Sequence, residues 1–487
     1  MSLLSQLKAL NQIEFVRHGK NYLAGNFMVQ GLAFVSIPIL TRMLNPDDYG
    51  MIAVFTSMVA IFSILLGLNF HGSINRKYYE QDDSFGEFIY STTRFIFLFA
   101  LAGVGLAVIF SSSITAFFEA PKLVFLLAVG VSFFSIFGNM YFSYLQASMQ
   151  SRRFAILSFV QAFAILLLGV GLILWMSEKR YLGKLFANLA VVLAFFVFSI
   201  FQLRKLEKPK WAVGHVRYAM HLGVPLIPHT LSHFVLSSFD RIIINQLKDA
   251  AQAGLYSLAY NVGSLLMVVI GGLNSAWVPI LFKNLNEGKY DSIQRKSDIY
   301  AVVIIFCGFC ISIFAQEVVM VMASPQYYAA LHIIPVIVLS SVFIFLYQLC
   351  VNYTFYVKKN IWISINTLVC GGLNIGLNYL FIPEYGYSAA AWTTLISYIL
   401  LFLLNYFTAR YFMKENMMKF GFKLAVLVVC SGLYFIASII SMFLNSFLLD
   451  LSFRVLLAAL VFLIMILLIQ SLNLAVKIHG GNHEKTD

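Results

Sequence analysis

The chain has 487 residues, of which 60% are hydrophobic and only 11% are charged, and its formal net charge at pH 7 is +12. Soluble domains carry about 25% charged residues, so this composition excludes a protein that faces water on most sides. Apolar runs long enough to cross a bilayer recur from one end of the sequence to the other. The sequence therefore predicts an all-α protein that spans the membrane many times.

The first half of the sequence contains six predicted spans, at 21–43, 51–70, 89–110, 123–148, 154–176 and 181–203. The first two are separated by the polar stretch LTRMLNPDDYG. Pro46 comes just after the first span, Asp47 and Asp48 can cap the next helix, and Gly50 gives the turn conformational freedom. This stretch predicts a tight hairpin between two membrane helices.

The second half contains six further spans, at 220–246, 254–276, 298–322, 331–354, 361–382 and 387–409, and a last pair follows at 421–445 and 452–473. The total is about fourteen. The domains predicted from this order are an N-terminal lobe at 1–203, a cytoplasmic basic linker at 204–217, a C-terminal lobe at 218–410, and a final helix pair with its tail at 411–487.

An internal repeat relates the two halves. The stretch INQLKDAAQAG resembles the first hairpin and pairs Gly50 with Gly254. YLQASMQSRRF resembles LCVNYTFYVKKN and pairs Arg152 with Lys358, an offset of 206 residues. Because each period holds an even number of spans, we expect two parallel six-helix lobes. The alternative, that hairpins between membrane helices look alike without a duplication, stays open.

The distribution of basic residues predicts the orientation. With the N-terminus in the cytoplasm, most of the 33 Lys and Arg residues fall in cytoplasmic loops. The largest groups are Arg76 with Lys77, Arg152 with Arg153, the linker 204–217, and Lys358 with Lys359. Anionic membrane lipid accounts for the positive charge, so no nucleic-acid partner is expected. The sequence predicts cytoplasmic N- and C-termini.

Enzymatic activity is not expected from this sequence. Its loops are too short to hold a nucleotide-sugar transferase domain or the large external loop of a membrane polymerase, and it lacks a G-x-x-x-x-G-K-[ST] phosphate-binding loop. Cys307 and Cys310 form a lone C-x-x-C inside an apolar run, which indicates small apolar filler rather than a metal site. No metal or other cofactor is predicted.

Four charged side chains, those of Arg76, Arg94, Asp240 and Arg241, fall inside or at the end of predicted spans. A charge at the bilayer centre costs about 2.5–3.5 kcal/mol on insertion scales, so such residues usually face a cavity. The alternative is that the long arginine side chains extend to the headgroups. The sequence therefore singles out these four residues as candidates for a transport pathway.

The predicted seventh span carries the densest set of polar residues. Pro225 and Pro228 are expected to interrupt its hydrogen bonds, a common feature near a pathway. On a continuous α-helix, His229, His233 and Asp240 would lie within about 40° of one another. A metal site lacks further acidic residues to complete it. The spacing favours a polar stripe in which Asp240 takes up a proton or pairs with a base.

The sequence resembles the bacterial polysaccharide and O-antigen flippases of the multidrug/oligosaccharidyl-lipid/polysaccharide exporter superfamily. The resemblance rests on the LTRMLNPDDYG hairpin, on DRIIINQL at the end of the seventh span and on GLYSLA at the start of the eighth. It implies a fold like that of the multidrug exporters. It also implies that an undecaprenyl-pyrophosphate-linked oligosaccharide crosses the bacterial inner membrane by alternating access. Arg76, Arg94 and Arg241 would hold the pyrophosphate.

Asp240 leaves coupling to H⁺ or Na⁺ open, and a polysaccharide polymerase and a chain-length regulator are the expected protein partners. Two alternatives remain. A cation-coupled multidrug exporter of the same superfamily commonly carries an acid in its first span, but residues 21–43 contain no Asp or Glu. A non-transporting scaffold of a polysaccharide assembly complex would not need intramembrane charges for transport.

Overall fold

The computed structural model describes residues 14–80, 83–444 and 446–480, and these ranges are almost entirely helical. The helices are α1 Glu14–Met43, α2 Pro46–Gly67, α3 Phe70–Tyr79, α4 Phe85–Ile109, α5 Ser111–Phe118, α6 Lys122–Ala147, α7 Ser151–Trp175, α8 Tyr181–Arg204, α9 Val213–Gly223, α10 Ile227–Phe234, α11 Asp240–Leu247, α12 Ala250–Gly263, α13 Leu265–Asn286, α14 Tyr290–Ile313, α15 Ala315–Met322, α16 Ile334–Tyr356, α17 Asn360–Tyr385, α18 Tyr387–Met413, α19 Gly421–Phe443 and α20 Phe447–Gly480. The all-α prediction is confirmed.

Within the described ranges, twelve helical segments are long and apolar enough to cross a membrane, and Phe27–Met43 is a shorter apolar helix. The predicted count of fourteen is therefore not confirmed. The predicted seventh span is interrupted: a 3₁₀ turn at Val224–Leu226 separates α9 from α10, and a π-helical segment at Val235–Phe239 separates α10 from α11. Pro225 lies inside the 3₁₀ turn, as expected from the ladder bond that proline removes.

The chain forms two compact units. The first comprises the described residues of 14–257, together with 322–327 and 371–390. Its apolar core is built from the inward faces of α2, α4, α6 and α8. The residues Phe55, Phe88, Phe125, Phe137 and Leu185 in this core are almost completely buried. Such a core, with lipid outside it, agrees with the high apolar content of every span.

The second unit comprises residues 258–321 and 328–370, together with the described residues of 391–480. Here the last two helices pack against α14, and two buried ion pairs fix them. Lys423 Nζ on α19 lies 2.5 Å from Asp298 Oδ1 on α14, and both side chains are buried. Arg454 on α20 binds Asp450 and lies 3.1 Å from Glu317 on α15. Only 11% and 6% of the apolar stretches of α19 and α20 are buried, so most of their surface faces lipid.

The first predicted hairpin is confirmed, although its cap differs from the prediction. The side chain of Asn45, not that of Asp47 or Asp48, caps α2: its Oδ1 accepts a hydrogen bond of 2.8 Å from the Asp48 amide. The two aspartates lie in the first helical turn, where their charge favours the positive end of the helix dipole. At the start of α12, Asp249 Oδ1 accepts in the same way from the Gln252 amide, at 2.7 Å.

The two repeats of this hairpin touch at their glycines. A Cβ atom on Gly50 would lie 1.7 Å from the Ala250 carbonyl oxygen, and one on Gly254 would lie 2.0 Å from the Pro46 carbonyl oxygen. The contacts are reciprocal because Pro46 and Ala250 are equivalent positions in the repeat. Each glycine thus makes room for the backbone of the other copy, and only glycine permits this approach.

The third and ninth predicted spans break at equivalent points. The C-cap residue of α4 is Phe110 (φ −89°, ψ 14°) and that of α14 is Phe314 (φ −99°, ψ 15°), and an eight-residue helix follows each of them. The carbonyl oxygen of Phe110 accepts from the Ile114 amide, and that of Phe314 from the Val318 amide, both at 3.0 Å. The shared offset of 204 residues supports the internal duplication.

The second sequence match is correct in location but wrong in register. The turn after α6 has Met149 at φ 56°, and the turn after α16 has Lys358 at φ 60°. The Gln150 amide donates to the Leu145 carbonyl oxygen as the Lys359 amide donates to that of Thr354. These equivalences give an offset of 209, not 206. The pairing of basic residues misled the alignment because Arg152 lies in the next helix, whereas Lys358 forms the turn itself.

Candidate functional site

The interrupted seventh segment packs against the break between α2 and α3. Leu68 and Asn69 adopt left-handed conformations with φ of 49° and 53° and separate α2 from α3. A Cβ atom on Gly223 would lie 2.2 Å from the Leu68 carbonyl oxygen, so the backbones meet directly. Asn69 Nδ2 donates to Thr230 Oγ1 at 3.3 Å. Two irregular backbone segments are therefore brought together.

The π-helical segment exposes backbone carbonyl groups that side chains then satisfy. Ser57 Oγ on α2 donates to the Ser238 carbonyl oxygen at 3.3 Å, and Arg241 Nη1 donates to the Ser237 carbonyl oxygen at 3.0 Å. Buried backbone carbonyls need such partners. π-helical segments within α-helices frequently occur at functional sites. Arg241 is therefore held at the edge of the irregular segment, with only 9% of its surface exposed.

Asp240 occupies the centre of a buried polar cluster. Its Oδ2 accepts a hydrogen bond of 2.6 Å from the Tyr256 hydroxyl, and its Oδ1 accepts one of 2.6 Å from Asn378 Nδ2. Asn378 also donates to Asn374 Oδ1, at 3.2 Å. Asp240, Tyr256 and both asparagines have no exposed surface. The cluster joins the start of α11 to α12 and α17.

The chemistry of this cluster suits a small cation or a proton. A fully buried carboxylate is costly unless a positive charge or several hydrogen bonds compensate it. Nδ2 of the buried Asn374 has no hydrogen-bond partner among the described residues. Because an amide can turn to exchange its oxygen and nitrogen, the two asparagines can offer oxygen ligands beside Asp240. Carboxylate, amide and hydroxyl oxygens are ligands of hard cations.

The two histidines do not share the environment of Asp240. His233 is exposed, and His229 Nδ1 is buried with no hydrogen-bond partner in the described ranges. The predicted single face assumed a continuous α-helix. The π-helical segment lies between His233 and Asp240, and its wider turn shifts the angular register. The expected angle of about 40° among His229, His233 and Asp240 therefore does not apply to this backbone, and their role as a polar stripe stays a prediction.

Arg94 lies on α4 in different surroundings. Its Nη1 is 3.0 Å from Glu207 Oε2, and its guanidinium lies 3.5 Å from the centre of the Tyr90 ring. Glu207 belongs to the predicted linker, which is fastened along the first turns of α4. The Lys208 amide donates to the Gly86 carbonyl oxygen at 3.1 Å. A Cβ atom on Gly86 would collide with this segment of the linker.

Arg76 lies on the short helix α3, and its side chain is exposed. Close to it, Tyr218 donates to Glu80 at 2.5 Å and Lys77 lies 3.1 Å from the same carboxylate. The hydrogen bond from Tyr218, followed by that from Lys77, holds the pKa of Glu80 below its usual value. The structure thus brings Asp240 and Arg241 into one buried segment, whereas Arg76 and Arg94 have surroundings of their own. Their pathway roles stay predictions.

Sequence reasoning missed the partners of Asp240. Tyr256 lies in the GLYSLA motif that carried part of the resemblance, but its hydroxyl had no predicted role. The signal that could have found Asn374 and Asn378 is their spacing of four residues within an apolar span, since two buried amides on one helix face rarely lack a purpose. Their pairing with Asp240 depends on how α17 packs, which no local pattern gives.

This chain is similar to two bacterial proteins over much of its length. A protein of the Lsg locus of Haemophilus influenzae is 24% identical over 399 residues, covering 78% of this chain and 96% of the relative. The succinoglycan biosynthesis transport protein ExoT of Rhizobium meliloti is 22% identical over 273 residues, covering 54% of this chain and 52% of the relative.

Solved structures with the same fold include an inward-facing multidrug transporter of the MATE family, with a TM-score of 0.66 and 13% identity over 80% of this chain and 95% of that one. The lipid II flippase MurJ, in an inward closed conformation, has a TM-score of 0.65 and 16% identity over 91% of this chain and 97% of that one. Residues 17–285, more than half of the chain, match the family described as polysaccharide biosynthesis protein. With its apolar spans and this match, the chain is a multi-pass membrane protein that belongs to the polysaccharide biosynthesis protein family.

Proposed function

We propose that the protein is a flippase for surface polysaccharide biosynthesis. It would move an undecaprenyl-pyrophosphate-linked oligosaccharide repeat unit from the inner to the outer leaflet of the bacterial cytoplasmic membrane. The observation that carries the proposal is that a chain of the polysaccharide biosynthesis family has a transporter fold. One relative is named as a transport protein of succinoglycan biosynthesis, and one structural neighbour is named as a lipid II flippase.

The buried seventh segment supplies residues suited to this task. The substrate head carries a pyrophosphate, and the planar guanidinium of an arginine binds phosphate oxygens through paired hydrogen bonds. Arg241 is the strongest candidate because it is nearly buried and borders the π-helical segment. The interruptions beside Pro225 and at Val235–Phe239 are points at which the backbone can rearrange during alternating access.

Asp240 is proposed to couple this movement to an ion gradient. Its carboxylate is surrounded by Tyr256 and Asn378, whose oxygen atoms can share a bound H⁺ or Na⁺ with it. Binding of the cation neutralises a buried negative charge next to Arg241 in the sequence. The electrostatic attraction between the arginine and the substrate would then depend on whether the cation is bound.

The first experiment is deletion of the gene in its own host, followed by complementation with wild type, Arg241→Ala, Arg241→Lys or Arg152→Ala. Arg152 is exposed and provides a control with the same loss of charge. Loss of a charged hydrogen bond to the substrate should lower surface polymer about tenfold or more in Arg241→Ala. Lipid-linked units should accumulate on the cytoplasmic face, whereas Arg152→Ala should restore the polymer.

The same experiment separates the alternatives. Unchanged surface polymer together with new sensitivity to cationic drugs would contradict the flippase and favour a multidrug exporter. If the deletion removes the surface polymer and Arg241→Ala restores it fully at the same protein level as wild type, the result would favour a scaffold that transports nothing. Partial restoration by Arg241→Lys would indicate that the positive charge itself acts on the substrate.

A further inference from the structure

A large cavity beside α4 is lined by Arg94 but not by Asp240 or Arg241, on which the proposed function was argued. Its volume is about 620 Å³, and α4, α6 and α8 form its walls together with the start of the linker. Most of the wall is apolar and aromatic: Phe97, Phe137 and Phe196 stack edge to face with one another or with Phe133. Arg241 and Arg76 are not among its lining residues within the described ranges.

One end of this cavity is polar and carries positive charge. Arg94, Arg204 and Glu207 line it, which leaves one net positive charge, and Trp211 lies beside them with 49% of its surface exposed. Arg94 keeps 42% of its side chain exposed even though it pairs with Glu207. This end lies near the linker, on the predicted cytoplasmic side, and tryptophan is typical of the headgroup level of a bilayer.

A second, independent observation concerns Thr93, which also lines the cavity. The residue is 94% buried, and its Oγ1 has no hydrogen-bond partner among the described residues. Threonine hydroxyls within helices commonly bond to the carbonyl group one turn earlier. A hydroxyl that is buried without this bond is costly, and an oxygen-rich ligand in the cavity would satisfy it.

We propose that this cavity binds one anionic phospholipid of the cytoplasmic leaflet. Arg94 and Arg204 hold its phosphate, Thr93 donates to an oxygen of the glycerol ester region, and an acyl chain lies along Phe97, Phe137 and Phe196. Charge complementarity favours an anionic lipid over a zwitterionic one. The lipid contacts Arg94 on the part of the guanidinium that remains exposed beside Glu207. This inference does not depend on which molecule the protein transports.

The test measures phospholipid binding by the purified full-length protein in detergent, using native mass spectrometry. The probes are phosphatidylglycerol and phosphatidylcholine with identical acyl chains. Wild type should retain one phosphatidylglycerol in preference to phosphatidylcholine. Arg204→Gln should weaken this binding about fivefold, because one basic residue close to an anionic lipid is lost. Arg217→Gln, which removes an exposed charge that does not line the cavity, should bind as wild type does.

Leu98→Trp provides a second variant with unchanged charge. Leu98 lines the cavity and is 64% exposed, so the larger side chain can fill the cavity without disturbing the buried core. It should abolish the preference for phosphatidylglycerol while the protein keeps its thermal stability. If Arg204→Gln and Arg217→Gln weaken phosphatidylglycerol binding equally, the proposal is overturned in favour of a general electrostatic attraction between the basic surface and the lipid. Displacement of the lipid by undecaprenyl phosphate but not by excess phosphatidylglycerol would overturn it in favour of the transported lipid.

Discussion

Asp240 is the residue on which the proposed coupling to a cation depends. It is completely buried, and the two donors that contact it at 2.6 Å, Tyr256 and Asn378, are neutral. Such hydrogen bonds compensate part of the cost of burying a carboxylate. If Asp240 couples transport to a cation, as proposed, then its charge must change during the transport cycle.

We expect Asp240→Asn to abolish the dependence of transport on a cation gradient. The substitution keeps the shape of the side chain and removes the charge that a proton or sodium ion would neutralise. Transport of lipid-linked units in inverted membrane vesicles should fall about tenfold or more and should no longer respond to an imposed H⁺ or Na⁺ gradient. Asp249→Asn is the matched control, because Asn can cap α12 as Asp does. Unaltered gradient dependence in Asp240→Asn would refute coupling at this residue.

A second prediction at this scale concerns Gly50. Gly50→Ala should lower the unfolding free energy by about 1–3 kcal/mol, the usual cost of overpacking, since its Cβ would meet the Ala250 carbonyl oxygen at 1.7 Å. Thermal unfolding in detergent gives the measurement. Gly105→Ala, on α4 with no heavy atom within 4 Å of the added Cβ, should change stability little or raise it slightly. If both variants were equally stable, the backbone contact between the two repeats would not contribute to the free energy of unfolding.

At the scale of elements, local sequence signals and tertiary packing can be separated within the seventh segment. Pro225 predicts the break at Val224–Leu226, because the missing amide is a property of the residue itself. Nothing in VLSSF predicts a π-helical segment. That segment is stabilised from outside by Ser57 on α2, a contact that no local pattern contains. The prediction that His229, His233 and Asp240 share one face assumed an uninterrupted α-helix, and the π-helical segment removes that assumption.

The final helix pair yields a prediction of its own. Lys423→Met should destabilise the packing of α19 on α14 by about 3–5 kcal/mol, because it leaves the buried Asp298 carboxylate without its cation. The double variant Lys423→Met/Asp298→Leu should recover most of this loss, since neither charge then remains buried. Protease resistance and thermal unfolding of the purified protein give the two readouts.

The exposed pair of Lys289 and Glu287, whose atoms lie 2.7 Å apart, supplies the control for that experiment. Surface pairs contribute about 0–1 kcal/mol, so Lys289→Met should leave the unfolding temperature almost unchanged. If Lys423→Met behaves like Lys289→Met, then α19 is held to α14 by apolar contacts alone. The ion pair would in that case specify only where the helix sits.

For the whole molecule, the sequence was a good guide to the positions of the long apolar helices and a poorer guide to their number and continuity, since about fourteen were predicted and twelve are found in the described ranges. Hydropathy alone located every long apolar helix, because bilayer thickness imposes the length of each. The repeat was found through Gly50 and Gly254, where the backbone contact fixes the residue type. It was misaligned at Arg152 and Lys358, where only charge was matched and several neighbouring positions serve equally well.

The predicted orientation can be tested by labelling single cysteines in a variant without the five native ones. Lys179 and Lys359 are both exposed, and they lie in loops that the basic residues assign to opposite sides of the membrane. In intact cells, a membrane-impermeant maleimide should label Lys179→Cys and should label Lys359→Cys only after permeabilisation. The reverse pattern would invert the topology and move the basic linker to the outside.

The reciprocal glycine contact has a consequence for the substitutions that the chain can accept. Most positions of the two matched segments differ: Pro46 corresponds to Ala250, and Leu44 to Lys248. Glycine occupies both Gly50 and Gly254, where the backbone of the other segment leaves no room for a Cβ atom. A side chain added at either position would displace both segments at once. Two stretches that lie about 200 residues apart in the sequence are therefore not free to change independently of each other.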